Sequence, residues 1–266
     1  MLHKSMVIAR KEMREAFRSR TIKYSIIVLG FTFGFAIPLL LSSVGGLIST
    51  STGSNLSNIP LPTDFFPAFT IGQRFYLFLL YLVVSLLLLM VPVILPVYIS
   101  ADSFAGERER KTIQQLLSTP LTDSEILLGK MLTSLIPTLI TTYVCILSTT
   151  IIVNLSWWRT YGVFQIVFPD LTAFIQLIAL YPLLAFFGTL TMVWVSTRVN
   201  KVMEATQLGG IVVVPVIIIA LVGIIFGGLI SIDFELSITG VFALVDYGLF
   251  KMASKRFTRE AILKRL

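Results

Sequence analysis

The stretch GERERKTIQQLLSTPLTDSEILLGK, residues 106–130, is where this chain concentrates side chains that could bind a partner. It contains four of the 21 Lys and Arg residues and four of the 14 Asp and Glu residues. Mixed charges of this kind determine which partner binds, and in which register, more than they add affinity. A short turn would be enough to connect the apolar stretches on either side. We therefore take the segment as a candidate docking element, with a solvated linker as the alternative.

The segment is predicted to form two helices separated by a tight turn. Its apolar residues with the helical spacing i, i+3, i+4 are Ile113, Leu116 and Leu117. Pro120 ends the first helix because the residue before a proline disfavours helical angles. Thr122 and Glu125 then have the spacing of a capping box, with Thr122 as the N-cap of the second helix. A linker whose charges served only membrane topology would need none of these features, which favours docking.

Sequence motifs for catalysis, cofactors and metals are lacking. There is no G-x-x-x-x-G-K-[ST] motif, and the Gly-Lys pair at Gly129-Lys130 is followed by Met131. There is also no H-E-x-x-H motif, no carboxylate pair within the predicted spans and no Ser/His arrangement. The single cysteine, Cys145, lies in an apolar stretch, which excludes disulfides and Cys-based metal sites. We therefore expect no catalytic, cofactor or metal residues, and no enzyme activity from this chain by itself.

The apolar stretches identify an integral membrane protein. Hydrophobic residues make up 56% of the 266 residues and charged residues 13%, about half the charged fraction of a soluble domain. Five windows carry no charge: 24–63, 75–101, 131–158, 171–197 and 205–232. About 20 apolar residues suffice to cross the hydrocarbon core of a bilayer. With a weaker sixth span before Lys251, the predicted fold is all-α with six transmembrane helices.

The distribution of basic residues predicts the orientation in the membrane. Seven Lys and Arg residues precede residue 24, and the successive loops and the tail hold one, four, one, two, none and six. This alternation of high and low counts places both termini in the cytoplasm, as the positive-inside rule requires for six spans. A five-span chain would leave the six basic tail residues outside. The net charge of +7 is therefore expected to face anionic lipids and cytoplasmic partners, and not nucleic acid.

We predict a single transmembrane domain over residues 1–266. Its parts are an amphipathic entry helix in the inner membrane interface (1–23), six spans (about 24–47, 75–100, 131–153, 171–197, 205–230 and 236–250), a cytoplasmic segment (102–130) and a cytoplasmic tail (251–266). In the entry helix, apolar side chains such as Met6 and Phe17 share one face and basic side chains the other. Pro92 and Pro96 are expected to kink the second span.

Asp246 is the charged residue within the sixth predicted span, and two interpretations stay open. An ionisable residue inside a span is by default a functional candidate. Alternatively, Asp246 lies near the membrane surface, about one turn from Lys251. A gradient-driven transporter is the rival class here, because it would carry its coupling ion on ionisable groups deep within the spans. Five of the six predicted spans contain no Asp, Glu, Lys or Arg, which disfavours a gradient-driven transporter.

Two kinds of short motif, glycine pairs within spans and glycosylation sequons, each have more than one interpretation. Two small-x-x-x-small pairs lie within spans, Gly30/Gly34 and Gly223/Gly227. They permit close packing either inside the chain or against a second copy. The N-x-S sequons at Asn55 and Asn154 both fall in predicted outside loops, which agrees with the orientation but shows no glycan.

The docking segment resembles a family signature. ERERKTIQQLLSTPLTDSEILLGKML looks like the cytoplasmic signature of type-2 ABC exporter permeases, a Glu-Arg-Glu-x-Gly-Thr-Leu-Glu-Gln-Leu-Leu-x-x-Pro run followed by a short helix and a Gly-Lys. The matching residues are Glu107, Arg108, Glu109, Thr112, Gln115, Leu116, Leu117, Pro120, Glu125, Ile126, Gly129 and Lys130. Lys111 stands where the family usually has Gly, and Gln114 where it often has Glu. The order of entry helix, six spans and signature between spans two and three also agrees.

The resemblance implies that residues 106–130 form a coupling helix seated in a groove of a separate ATPase subunit, which would bind ATP and Mg²⁺. The residues expected to dock there are Glu107, Arg108, Glu109, Arg110, Thr112, Gln115, Leu116, Leu117 and Pro120. Arg198 and Lys201 are expected to make secondary contacts. The resemblance further implies export and a second permease copy, identical or similar, in a prokaryotic cell membrane.

The sequence constrains the substrate weakly. Polar groups in the spans are mostly hydroxyls: Thr141, Thr142, Tyr143, Ser148, Thr149, Thr150, Thr189 and Thr191. Such hydroxyls usually bond back to their own helix. An uncharged lining is compatible with an amphipathic or hydrophobic substrate. The other alternative is a membrane anchor that recruits a protein and transports no substrate. Substrate-stimulated ATP hydrolysis would distinguish an exporter from such an anchor.

Overall fold

The computed structural model describes residues 2–51, 69–110, 122–196, 198–199, 201–225 and 231–256. All regular secondary structure in these ranges is helical. The N-terminal helix, α1, covers Leu2–Ala16. Six helices that are long and apolar enough to cross a membrane follow it. The predicted all-α membrane fold with six spans is confirmed.

The spans are continuous helices or helices joined by a π-helical turn. In chain order they are Arg20–Gly46, Ile71–Glu107, Asp123–Tyr161, Leu171–Ser196, Val202–Gly223 and Ile232–Ser254. The helices that contain the second, fifth and sixth spans end at Glu109, Ile225 and Arg256. The first span joins Arg20–Phe31 to Ile37–Ser51 through a π-helical turn at Thr32–Ala36, and the fourth joins Leu171–Ile175 to Tyr181–Ser196 through one at Gln176–Leu180.

The second and third helices are much longer than a bilayer requires. Each has 39 residues. At a rise of about 1.5 Å per residue, each is roughly 60 Å long, twice the hydrocarbon thickness of about 30 Å. Both must therefore extend beyond the membrane core. The end of one and the start of the other flank residues 111–121, which lie outside the described ranges.

The second span is the centre of the bundle. It buries 61% of its most apolar stretch, whereas the first span buries 17% and the sixth 11%. Its side chains Tyr76, Leu88 and Leu95 are almost completely buried. The third, fourth and fifth spans pack around it. A movement of the second span would therefore displace the spans that pack against it.

The prolines of the second span do not end its helix, which runs from Ile71 to Glu109 through Pro92 and Pro96. Gly188 of the fourth span lies against this region. A Cβ at Gly188 would be 3.0 Å from Pro96 Cγ and 3.1 Å from the Val93 carbonyl oxygen. The two spans thus approach closely where the prolines have removed helical donors.

The Gly30/Gly34 pair packs within the chain, where the first span crosses the third. A Cβ at Gly34 would lie 2.9 Å from Cys145 Cα. The Ser148 hydroxyl donates to the Gly34 carbonyl at 2.7 Å, which satisfies backbone in the π-helical turn. Of the other glycine pair, Gly227 lies outside the described residues.

Asn154 organises the loop between the third and fourth spans. Its side-chain nitrogen donates to the carbonyls of Thr150 and Phe168, at 2.8 and 2.5 Å. Its side-chain oxygen accepts from the Val167 amide at 2.7 Å. Both amide hydrogens are engaged, so the Asn154 side chain fixes this loop to the third helix. Asn55 lies outside the described residues.

Substituting Gly34 with Ala is expected to destabilise the protein by about 1–3 kcal/mol, the usual cost of overpacking. The added methyl group would collide with the backbone of Cys145, which cannot rotate away. Gly210→Ala is the matched control, because nothing lies within 4 Å of a Cβ built there. Thermal denaturation in detergent should show a lower midpoint for Gly34→Ala alone. Equal midpoints for the two variants would contradict the close packing.

Candidate functional site

The candidate site lies where the second helix ends and the third begins. The third helix starts with a capping box: the Glu125 amide donates to the Thr122 hydroxyl at 3.3 Å, and the Thr122 amide donates to Glu125 Oε2 at 3.0 Å. These are the two residues that the sequence predicts as a cap. The cap satisfies backbone donors at the helix start, so the chain enters the third span in a defined direction.

A buried lysine lies just beyond this cap, in the second turn of the third helix. The side chain of Lys130 is 2% exposed. Its Nζ lies 2.9 Å from Glu107 Oε2 and 3.2 Å from Glu12 Oε1. It also donates to the Ser103 carbonyl oxygen at 2.7 Å. We call these four residues the Lys130 cluster.

The Lys130 cluster compensates the burial of its charge. The Lys130 Nζ donates a hydrogen bond to the Ser103 carbonyl oxygen and lies within ion-pair distance of the Glu107 and Glu12 carboxylates. The Ser103 hydroxyl donates to Glu12 Oε2 at 2.7 Å, which orients that carboxylate. The Phe104 ring adds a cation–π contact, with Nζ 5.3 Å from its centroid. A buried charge is tolerated only when it is paired and hydrogen-bonded in this way.

The cluster joins three elements that are far apart in sequence. Glu12 belongs to α1, Ser103 and Glu107 to the end of the second helix, and Lys130 to the start of the third. Ala9 and Ala16 are buried on the same face of α1 as Glu12, while Met6 is 59% exposed. The helix ends on both sides of residues 111–121 are therefore fixed to one another and to α1.

Glu109 adds a link to the fifth span. Its Oε2 accepts a hydrogen bond of 2.9 Å from the backbone amide of Val202, the first residue of the fifth helix. An acidic group at this position caps a free amide and interacts favourably with the helix dipole. The last turn of the second helix thus contacts the start of the fifth as well as the third.

The structure places the remaining predicted docking residues as follows. Arg110 is exposed and pairs with Asp102, with Nη2 2.7 Å from Oδ1. Arg198 stacks its guanidinium 3.8 Å above the Trp194 ring, and Lys201 is exposed beside the fifth helix. Of Arg108, only the backbone is described. The others lie outside the described residues: Thr112, Gln115, Leu116, Leu117 and Pro120. Contact of any of them with a partner stays a prediction.

Sequence reasoning did not find the partners of Lys130. Glu107 was predicted to face a partner subunit, and in the structure its carboxylate pairs inside the chain. Glu12 was not singled out at all. A signal for it exists, because Glu12 lies three residues after Ala9 and four before Ala16 on the face of α1 that is buried.

Asp246 of the sixth span is buried, 3% exposed. Among the described residues, neither of its carboxylate oxygens has a hydrogen-bond partner. Lys251 is exposed and forms no ion pair with Asp246 there. Both interpretations of Asp246, a functional residue inside the span and a residue near the membrane surface, stay predictions.

Comparison with protein-family models identifies the chain. The model described as ABC-2 family transporter protein matches residues 6–241, a range that includes all four members of the Lys130 cluster. The chain belongs to this family. It is a multi-pass membrane permease of an ABC transporter, the transport component and not itself the catalytic one. A comparison with curated protein sequences gave no match.

Replacing Lys130 of the permease with Met is expected to destabilise it by about 3–5 kcal/mol, because the buried Glu12 and the half-buried Glu107 would lose their cation. Lys201→Met is the matched control, since Lys201 is exposed. Adding Glu12→Gln and Glu107→Gln to Lys130→Met should recover most of the lost stability. The measurement is the thermal midpoint in detergent. Equal midpoints for the two lysine variants, or no recovery in the triple variant, would contradict the ion cluster.

Proposed function

We propose that this permease is the transmembrane subunit of an ATP-driven exporter and that a separate ATPase subunit docks on residues 106–130. The observation that supports this most is the Lys130 cluster beside that segment. Buried ion pairs join the helix ends on both sides of residues 111–121, and Glu109 extends the linkage to the fifth span. A displacement of the segment by a partner would therefore move several spans together.

We expect the ATPase to be a separate subunit, because the 266 residues contain no G-x-x-x-x-G-K-[ST] motif. The lysine of Gly129-Lys130 is buried, pairs with Glu12 and Glu107 and donates to the Ser103 carbonyl oxygen, so it is not placed to bind a phosphate. ATP and Mg²⁺ would bind in the partner. The permease would contribute the docking residues and the helices that respond.

The proposed coupling is mechanical. ATP-driven closure of the partner would shift the 106–130 segment, and the fixed helix ends would carry that shift into the second and third spans. Since the second span is the central one, its displacement would reach the third, fourth and fifth spans as well. Two discrete packings of these spans would give the inward and outward states of a path for an amphipathic or hydrophobic substrate.

The membrane arrangement proposed here has both termini in the cytoplasm of a prokaryotic cell. Helix α1 would lie in the inner interface, with the exposed side chains of Met6 and Phe17 in lipid and Arg10, Arg14 and Arg18 facing headgroups. A second permease copy, identical or similar, would complete the transporter. Family membership favours this function over the gradient-driven alternative.

The test begins with tagged permease purified gently from its native membranes. We expect a P-loop ATPase to co-purify and the preparation to show vanadate-sensitive ATP hydrolysis. The variant Glu109→Gln/Arg110→Gln should lose most of that activity or its stimulation by substrate. Gln at position 109 keeps an acceptor for the Val202 amide, and the Arg110–Asp102 pair that this variant removes is exposed and contributes little to stability, so a loss of activity reports on docking.

The matched control for this test is Glu204→Gln/Lys251→Gln, which also removes one acidic and one basic side chain that are exposed. It should keep the hydrolysis of the native preparation. A permease that purifies alone and inactive, with no nucleotide-binding companion after cross-linking, would contradict the exporter. Co-purification without substrate-stimulated hydrolysis would favour the non-transporting anchor.

A further inference from the structure

An apolar segment connects the third span to the fourth, at the end of the bundle opposite to the Lys130 cluster. The third helix begins beside that cluster and ends just before the segment. Within the segment, Val163, Phe164 and Ile166 are 56%, 81% and 70% exposed. None of residues 160–169 is charged. We call residues 163–168 the Phe164 segment, and its exposed apolar side chains need a partner other than water.

The Phe164 segment folds back alongside the helices instead of projecting beyond their ends. The Val167 amide donates to Asn154 Oδ1 at 2.7 Å, and Asn154 lies seven residues before the end of the third helix. The Val167 carbonyl oxygen accepts from the Tyr81 hydroxyl at 2.8 Å, and Tyr81 lies ten residues after the start of the second helix. At about 1.5 Å per residue, these two anchors are roughly 10 and 15 Å inside the helix ends. The chain therefore returns toward the membrane core.

The nearest charged residues along the two helices give the depth of these anchors. Arg74 and Arg159 end the charge-free windows of the second and third spans. Tyr81 lies seven residues on the apolar side of Arg74, about 10 Å along the helix. Asn154 lies five residues on the apolar side of Arg159, about 8 Å along the helix. Because the headgroup region on each side of a bilayer is about 5–8 Å thick, both anchors lie near the boundary of the hydrocarbon core.

The backbone of the segment is hydrogen-bonded as this depth requires. The Phe168 amide donates to Asn154 Oδ1 at 3.3 Å, and the Phe168 carbonyl oxygen accepts from Asn154 Nδ2 at 2.5 Å. With the two bonds of Val167, side chains thus satisfy all four backbone groups of these neighbouring residues. The Phe168 ring also packs edge-on against the Tyr81 ring, with centroids 5.8 Å apart. Irregular backbone is tolerated at membrane depth only where the protein satisfies it in this way.

The exposed side chains of the segment continue the lipid-facing surface of the flanking spans. On the third span that surface includes Ile151 and Leu155, and on the fourth it includes Leu171 and Ile178, all more than half exposed. Trp158 is also exposed, next to the segment, and tryptophan is enriched where a span meets the membrane interface. A bilayer that covers both spans therefore reaches the Phe164 segment as well.

From this placement we infer that the Phe164 segment is inserted into the membrane leaflet opposite to the Lys130 cluster, with Phe164 and Ile166 among the lipid acyl chains. An aromatic and a branched aliphatic side chain are stabilised by leaving water, and the segment carries no charge that would oppose its entry. Asn154 and Tyr81 hold the segment at this depth. The inference concerns the contact with lipid and does not depend on the proposed exporter.

Power-saturation electron paramagnetic resonance on the permease in phosphatidylcholine nanodiscs tests this placement. Spin labels are attached at Phe164→Cys and, separately, at Ile166→Cys, each in a Cys145→Ser background, so that each variant keeps the other inserted side chain. The controls are Leu147→Cys, exposed on the third span, and Lys201→Cys, exposed beside the fifth helix. Oxygen partitions into hydrocarbon and a nickel chelate into water. We expect the ratio of oxygen to nickel-chelate accessibility at both loop positions to exceed the Lys201 value several-fold and to approach the Leu147 value.

Two further variants, each made in the Phe164→Cys background, test the anchors. Asn154→Ala removes the bonds to the backbone of the segment and should shift the ratio toward the Lys201 value. Tyr81→Phe keeps the ring and removes a single hydrogen bond, so it should fold well and shift the ratio in the same direction by less. The matched control is Gln207→Ala, which removes an exposed amide and should leave the ratio unchanged.

Three outcomes would contradict the inference. A ratio equal to that of Lys201 at both loop positions would place the segment in water and overturn it. Labels shielded from both reagents would show that protein, such as a second copy of the chain, covers the segment, and would overturn it as well. A ratio that neither Asn154→Ala nor Tyr81→Phe lowers would overturn the anchoring role of these two side chains.

Discussion

A buried ammonium group is stable only where anions and carbonyl acceptors surround it, and that requirement positions the helices around Lys130. Its three polar partners come from α1 and from the last turns of the second helix, so the third helix cannot shift relative to either without breaking an ion pair of the buried lysine. Such a constraint is directional, whereas apolar packing between lipid-facing helices is not. The junction beside residues 111–121 is thereby the stiff part of a bundle whose other contacts are mostly apolar.

Contacts between the other helices pass a displacement of this junction on to the rest of the bundle. The second span carries Ser103 and Glu107 at one end and is the most buried span, with close contacts such as Gly188 against Pro96 along its length. Glu109 reaches the fifth helix, and Gly34 lets the first span pack tightly on the third. A rigid central helix with tight neighbours transmits displacement, because packed helices move as units and do not deform continuously. At the start of the sixth span, Glu235 lies in a crevice formed by four of the same spans.

Local features were predictable from the sequence, and contacts between distant segments were not. Charge-free windows predict the spans because a bilayer sets their length and composition. The cap at Thr122 and Glu125 is a relation between residues three apart, so its spacing is visible in the sequence. The pairing of Lys130 with Glu12 depends on how α1 folds back against the third helix, and no local pattern encodes that. Glu235 was placed just outside the predicted sixth span, whereas the helix begins at Ile232 and buries it against Gln176.

The central claim is that the Lys130 cluster makes α1 and the start of the third helix one rigid unit. Pulsed electron paramagnetic resonance between spin labels at Arg10 and Ser124, both exposed, measures this directly in a Cys145→Ser background. The account predicts one narrow distance distribution, the same with and without vanadate-trapped nucleotide in the complete transporter, and a broad distribution in Lys130→Met. Equal widths in the native permease and in Lys130→Met would contradict it, as would a native distance that shifts on trapping.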